Sequence, residues 1–163
     1  MISKMNDLGI MVDVSHVSEK SCYDAIKYSR VPVIASHSSA RALCDHPRNL
    51  TDDQLRKIAE TGGVVQVCLY KGFLNKESSK ASVKDAVAHI NHMVKIMGID
   101  HVGIGSDFDG DGGIAGCQSS NELINLTMEL LKEGYSEDDL AKLWGGNILR
   151  VMRQVQSAAK QII

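Results

Sequence analysis

No apolar run in the sequence approaches the ~20 residues that a bilayer-spanning helix requires. Neither sign of charge is in excess: 18 Lys and Arg face 20 Asp and Glu, a formal net charge of −2. That balance lacks the basic footprint of a nucleic-acid binder or of a protein held on an anionic membrane surface. Proline occurs twice and tryptophan once, and nothing in the composition marks a low-complexity or disordered chain. The four cysteines, Cys22, Cys44, Cys68 and Cys117, show no CxxC spacing and no disulfide framework, so the expectation is a reducing, cytoplasmic setting. The first nine residues carry Lys4 and Asp7 and lack the unbroken apolar stretch of a secretory signal.

What the chain does contain is enough apolar material for a core. Hydrophobic residues make up 44% and charged residues 23% of 163, which reads as a single domain over residues 1–163. Four Val- and Ile-rich runs of strand length stand out at residues 10–14, 31–35, 63–69 and 101–106. They are apolar at consecutive positions, the pattern of strands covered on both faces, hence of a parallel sheet. Helical signals fill the gaps. Ile2, Met5 and Leu8 keep helical spacing up to Gly9, Ser18 can cap a helix reaching Ser29, and Thr51 with Gln54 has the form of a capping box. Val83, Val87, Ile90, Val94 and Met97 repeat at helical steps until Gly98. Further helices are expected over residues 121–133, 136–144 and, after a Gly145-Gly146 break, 147–163. The fold class is therefore α/β, built of right-handed parallel βα units. These units suit a small open sheet or half of an eight-stranded barrel, and periodicity does not choose between them.

In parallel α/β folds the chemistry gathers at the carboxyl ends of the strands. The first strand there runs into Asp13-Val14-Ser15-His16, the second into Ser36-His37-Ser38-Ser39, and the fourth into Ser106-Asp107-Phe108-Asp109-Gly110. Imidazoles at the ends of neighbouring strands can converge on one cation, and neutral histidine suits zinc. Asp107, on the same rim, is a third ligand or a general base. Arg48, in the loop after the second strand, is placed to grip a substrate carboxylate or a developing oxyanion. His89 and His92 fall off the apolar stripe of their helix and read as solvated. Cys44 and His46 lie in the loop after the second strand, where either could line a pocket, but they read first as loop residues; Asp109 and Asp111 read as turn residues. The glycines between Gly103 and Gly113 lack both the P-loop Lys-Ser/Thr and GxGxxG spacing, so they do not make a phosphate cradle.

Several of these segments recur together in one known family. Asp13-Val14-Ser15-His16, Ser36-His37-Ser38-Ser39-Ala40-Arg41, Pro47-Arg48-Asn49, Gly62-Gly63-Val64-Val65, Gly103-Ile104-Gly105-Ser106-Asp107-Phe108-Asp109-Gly110 and Gly146-Asn147-Ile148-Leu149-Arg150-Val151 occur in that order. The set closely resembles the C-terminal half of the membrane (renal-type) dipeptidases, zinc metallopeptidases on a (β/α)8 TIM-type barrel within the amidohydrolase-like group. The resemblance implies strands five to eight of that barrel and a binuclear zinc site that hydrolyses dipeptides with a metal-activated water. It implies that His16 and His37 bind one of the zinc ions and that Arg48 engages the substrate. Asp107 is implied to act on the bridging water or the substrate amine. Phe73 is a further pocket candidate that no motif fixes.

The family's H-x-D pair and bridging glutamate, which precede the Asp-Val-Ser-His motif, have no counterpart in the sequence. The expectation is a fragment or split gene product with at most a partial zinc site, and little activity on its own. Pairing with a second copy or with an N-terminal half-barrel would cover the outer strands. The competing expectation is a catalytically inactive half-barrel that serves as a structural or interaction module.

Overall fold

The computed structural model describes residues 1–160. Four strands, β1 (Val12–Asp13), β2 (Val33–Ala35), β3 (Val64–Cys68) and β4 (Val102–Ser106), form one parallel sheet in the order β1-β2-β3-β4. Each lies within its expected apolar run but is shorter, because the ends leave the ladder to enter turns. Pairing persists a little past those bounds: Val14 N donates to Ile34 O at 2.8 Å and Leu69 N to Ser106 O at 2.9 Å.

Helices α1 (Ile2–Asp7), α2 (Glu19–Tyr28), α3 (Asp52–Glu60), α4 (Lys71–Leu74) and α5 (Val83–Met97) come before β4. Their starts obey local chemistry. The Ser18 side chain accepts from Ser21 N, and Thr51 and Gln54 make the expected reciprocal capping box. Ser82 and Asp85 make another, which ties down the start of α5. After β4 a 3₁₀ turn (Ser120–Glu122) leads into α6 (Leu123–Lys132), and Ser136 boxes with Asp139 to open α7 (Glu137–Ala141). The Gly145-Gly146 break takes the form of a π turn (Lys142–Gly146) that runs into α8 (Asn147–Ser157). Of the helix expected to Ile163, residues 161–163 lie outside the described residues.

Alternation along the strands sorts the core into two layers. Val33, Ala35, Val65 and Val67 pack with Leu55 and Ile58 of α3, Ile90 and Met93 of α5, and Leu126 and Leu130 of α6. Ile34 and Val64 point to the opposite face, where Val151 and Val155 of α8 cover them. Hydrogen bonds fix α8 beneath the sheet. Asn147 Nδ2 donates to Ile99 O (2.7 Å) and Val102 O (2.8 Å), and Arg150 donates to Gly62 O (2.9 Å) and Asp100 O (2.7 Å). All four acceptors lie at or before the starts of β3 and β4. The helix therefore closes the amino-terminal end of the strands and leaves the carboxyl end free for chemistry.

Candidate active site

The carboxyl ends of β1 and β2 bring His16 and His37 together. Their Nε2 atoms stand 2.6 Å apart and their ring centroids 4.8 Å. Parallel pairing of Val12 with Val33 and Asp13 with Ile34 sets the two loops at matching height. Behind the histidines, Asp13 Oδ1 accepts from Ser15 N (3.0 Å) and Ser36 N (3.1 Å), while Ser36 Oγ donates to Asp13 Oδ2 at 2.5 Å. Ser36 Oγ is also 2.8 Å from His37 Nδ1. Burial pushes the Asp13 carboxyl up, but the hydrogen bonds from Ser36 and Ser15 outweigh it and leave its pKa below the ordinary value. Asp13 opens the Asp-Val-Ser-His motif, but the sequence assigns it no role. Only the fold, which folds Ser36 back over it, brings out its place behind the histidines.

Asp107 reaches the same rim through an irregularity in β4. Val67 pairs with Ile104 and Cys68 with Ser106, so Gly105 is the extra residue of a bulge. The chain then passes through left-handed backbone at Ser106 (φ +24°) and Asp107 (φ +69°), strain of the kind that collects at functional sites. Two amides bend back onto Asp107 and hold it there: Gly110 N and Gly112 N donate to its carbonyl at 2.9 and 2.8 Å. The thiol of Cys68 faces Asp107 Oδ2 at 3.7 Å. Burial pushes the Cys68 thiol up to about 12, so it stays protonated and able to donate.

Between these groups lies a cleft of about 330 Å³ lined by His16, Arg48 and Asp107 together with His46, Tyr70, Phe73, Gly110 and Asp111. Of the four sequence candidates three line it directly, and His37 adjoins it through His16. Phe73 forms the aromatic wall, with Tyr70 at 4.7 Å and His46 at 4.6 Å between centroids. The Arg48 guanidinium lies over that ring, its Cζ 5.4 Å from the centroid, and Arg48 N donates to His46 Nδ1 at 3.1 Å. Tyr70 is an addition to the sequence candidates, while His46 and Asp111, read from the sequence as loop and turn residues, also line the cleft. The short helix α4 that presents Phe73 has no periodicity from which to find it.

The expectation for His89 is overturned. His89 is not solvated: it is 1% exposed, accepts from Ala40 N through Nδ1 (3.0 Å), and its Nε2 donates to Leu74 O (3.1 Å). The buried arc of α5 is wider than the single apolar stripe, because the loop after β2 and the end of α4 close over its side. Burial lowers the His89 pKa to about 4. His92 also has a partner, Asp52 Oδ1 at 2.7 Å.

The donor set at the rim is two imidazole nitrogens directed at one another, which suits a shared borderline divalent ion. Among the described residues no group of three or more His, Cys, Asp or Glu is placed to hold an ion, so Asp107 does not complete a triad with the histidines.

Known proteins place this architecture. The sequence is 39% identical over 160 residues to the dipeptidase tcpJ of Claviceps purpurea, covering 98% of this chain and 38% of that protein. The fold matches the crystal structure of the probable dipeptidase PvdM of Pseudomonas aeruginosa with a TM-score of 0.94 and 34% identity, over 97% of this chain and 53% of that one. It matches a metallopeptidase of Rhodobacter sphaeroides, solved with a phosphinate mimic of the dipeptide L-Ala-D-Ala, with a TM-score of 0.89 and 34% identity over 94% and 45% of the chains. The chain thus spans 38% of the length of its curated relative and about half of the solved chains, so its four βα units make up half of their fold. Residues 1–163 match the membrane dipeptidase family throughout, and the chain belongs to that family, peptidase family M19.

Proposed function

We propose that the chain supplies the C-terminal half of a zinc-dependent dipeptidase, with His16 and His37 as one face of its metal centre. The observation that carries this reading is the meeting of the two Nε2 atoms at 2.6 Å beside a cleft that also holds Arg48 and Asp107. A divalent ion bound there would polarise a peptide carbonyl and lower the pKa of a bound water. Arg48 pairs with the substrate's terminal carboxylate through a planar fork that its stacking on Phe73 pre-orients. Asp107 accepts a proton, from the attacking water or the substrate amine, at a carboxylate that the Cys68 thiol steadies on one oxygen. Tyr70, Phe73 and His46 give the cleft an aromatic wall against the residue held there.

Two histidines fall short of the three protein ligands usual for catalytic zinc, so the remaining ligands come from an N-terminal half-barrel. That half would pair with the edge strands β1 and β4 and cover Leu8 and Ile10 beside β1, which are 41% and 48% exposed. The chain folds as one domain, and its four cysteines, all unpaired, fit a cytoplasmic setting. A second reading, an inactive structural half-barrel, draws on the lack of a third ligand among the described residues. Zinc titration followed by an assay on Gly- and D-residue dipeptides, with and without an added N-terminal half, separates the two. Hydrolysis that requires both halves is the expected result. No hydrolysis by the folded, zinc-loaded pair would leave the structural reading.

A further inference from the structure

Ser36 has one hydroxyl proton and three polar neighbours. Its Oγ lies 2.5 Å from Asp13 Oδ2, 2.8 Å from His37 Nδ1 and 3.2 Å from Ser15 Oγ. An ionised carboxylate only accepts, so the Ser36 proton goes to Asp13 Oδ2. His37 Nδ1 must then supply its own proton to Ser36 Oγ, because Ser36 has none left to give. Ser15 Oγ, which accepts from His37 N at 3.0 Å, directs its hydroxyl to the second lone pair of Ser36. A neutral imidazole protonated on Nδ1 has a bare Nε2, and that is the atom facing His16. The two amides on Asp13 Oδ1 keep the carboxylate from rotating out of this chain.

We propose that Asp13 is a positioning residue: acting through Ser36, it holds the His37 proton on Nδ1 and keeps the Nε2 lone pair on the rim for a divalent cation shared with His16. The cation part rests on the function proposed above, whereas the tautomer part does not. Its effect passes through the direction of two hydrogen bonds.

Asp13→Asn in the full chain tests this. The asparagine keeps an oxygen for the Ser15 and Ser36 amides and turns its NH2 toward Ser36 Oγ, which frees the Ser36 proton for His37 Nδ1. With ¹⁵N-histidine labelling and long-range ¹H–¹⁵N correlation at about pH 8, where an ordinary histidine is neutral, His37 should switch from the Nδ1–H to the Nε2–H tautomer. Zinc affinity by calorimetry should fall about 10- to 100-fold. Ser36→Thr keeps the hydroxyl and should retain the wild-type tautomer. Ser36→Ala removes the acceptor of the Nδ1 proton, should lose the Nδ1–H preference, and carries the test if Asp13→Asn does not fold. A folded Asp13→Asn or Ser36→Ala protein with His37 still protonated on Nδ1 overturns the proposal, as does a switched tautomer with unchanged zinc affinity. A wild-type chain that binds no zinc, but whose Asp13→Asn variant switches tautomer, upholds the positioning role and removes the metal reading instead.

Discussion

Ala40 N donates to His89 Nδ1 at 3.0 Å, so a histidine of helix α5 holds the start of the loop that carries His46 and Arg48. The other ring nitrogen donates to Leu74 O, where α4 ends after presenting Phe73. One buried side chain thus braces two walls of the candidate cleft.

That brace makes stability depend on pH. Burial lowers the His89 pKa to about 4, from an ordinary 6.5 in the unfolded chain. Between those values the unfolded state binds the extra proton, so stability rises with pH across this window. The contribution is fully present above pH 6.5 and is lost as pH falls toward 4; its full size is about 3 kcal/mol. Urea unfolding at a series of pH values should show this slope. In His89→Gln, whose amide can accept from Ala40 and donate to Leu74 without titrating, the slope should flatten. An unchanged slope would assign the proton uptake elsewhere.

Much of the fold was legible in the sequence because its signals are local. Ser18, Thr51 and Ser136 cap where their spacing says they should, and the four Val/Ile runs contain the four strands. His89 was not legible, because distance from the apolar stripe means exposure only if nothing packs on that side of the helix. Nor was the placement of α8. Val151 and Val155 make an apolar stripe that reads the same whether a helix lies beside a strand or crosses beneath the sheet. In the candidate site His16, His37, Arg48 and Asp107 were found from strand ends and motif order. Asp13 and Tyr70 acquire a place only when separate segments of chain meet.

Asn147 should be among the most sensitive positions remote from the cleft. Its Nδ2 satisfies the carbonyls of Ile99 and Val102 in a setting that is 4% exposed. Asn147→Ala leaves both without that donor and should cost about 1–3 kcal/mol. Asn147→Asp should cost more, because it sets a carboxylate against two carbonyl oxygens. Equilibrium denaturation of the two variants gives the order, and an aspartate less harmful than alanine would contradict it.

Two glycines allow structure to be separated from site. A Cβ on Gly63 would lie 2.0 Å from Val33 O, and one on Gly105 the same distance from Ser36 O. Neither clash can be relieved without moving backbone, so each alanine variant should lose about 1–3 kcal/mol or more. Only Gly105 presses on the residue next to His37. If the histidine pair binds zinc as proposed, Gly105→Ala should therefore also weaken that binding, while Gly63→Ala, at the far end of the strands, should leave it near wild type. Calorimetric titration of both against zinc distinguishes the outcomes, and equal affinities would detach the β4 bulge from the site.

On the proposed function, Arg48 offers the sharpest test of how a dipeptide would be held. Its guanidinium is set over the Phe73 ring and its backbone amide is tied to His46, so the fork is oriented before anything binds. A charge-assisted pair with a terminal carboxylate contributes about 1.5–3 kcal/mol, which predicts a loss of roughly 10- to 150-fold in kcat/KM for Arg48→Ala in the complemented enzyme. Arg48→Lys should recover only part of it, since an ammonium keeps the charge but does not bond a carboxylate in parallel pairs. Phe73→Leu should loosen the same guanidinium and give a smaller loss. The control is a dipeptide amide, which lacks the terminal carboxylate. If Arg48 works through that group, wild type and Arg48→Ala should hydrolyse the amide at similar rates. A deficit as large on the amide as on the free acid would show that Arg48 acts on another part of the substrate.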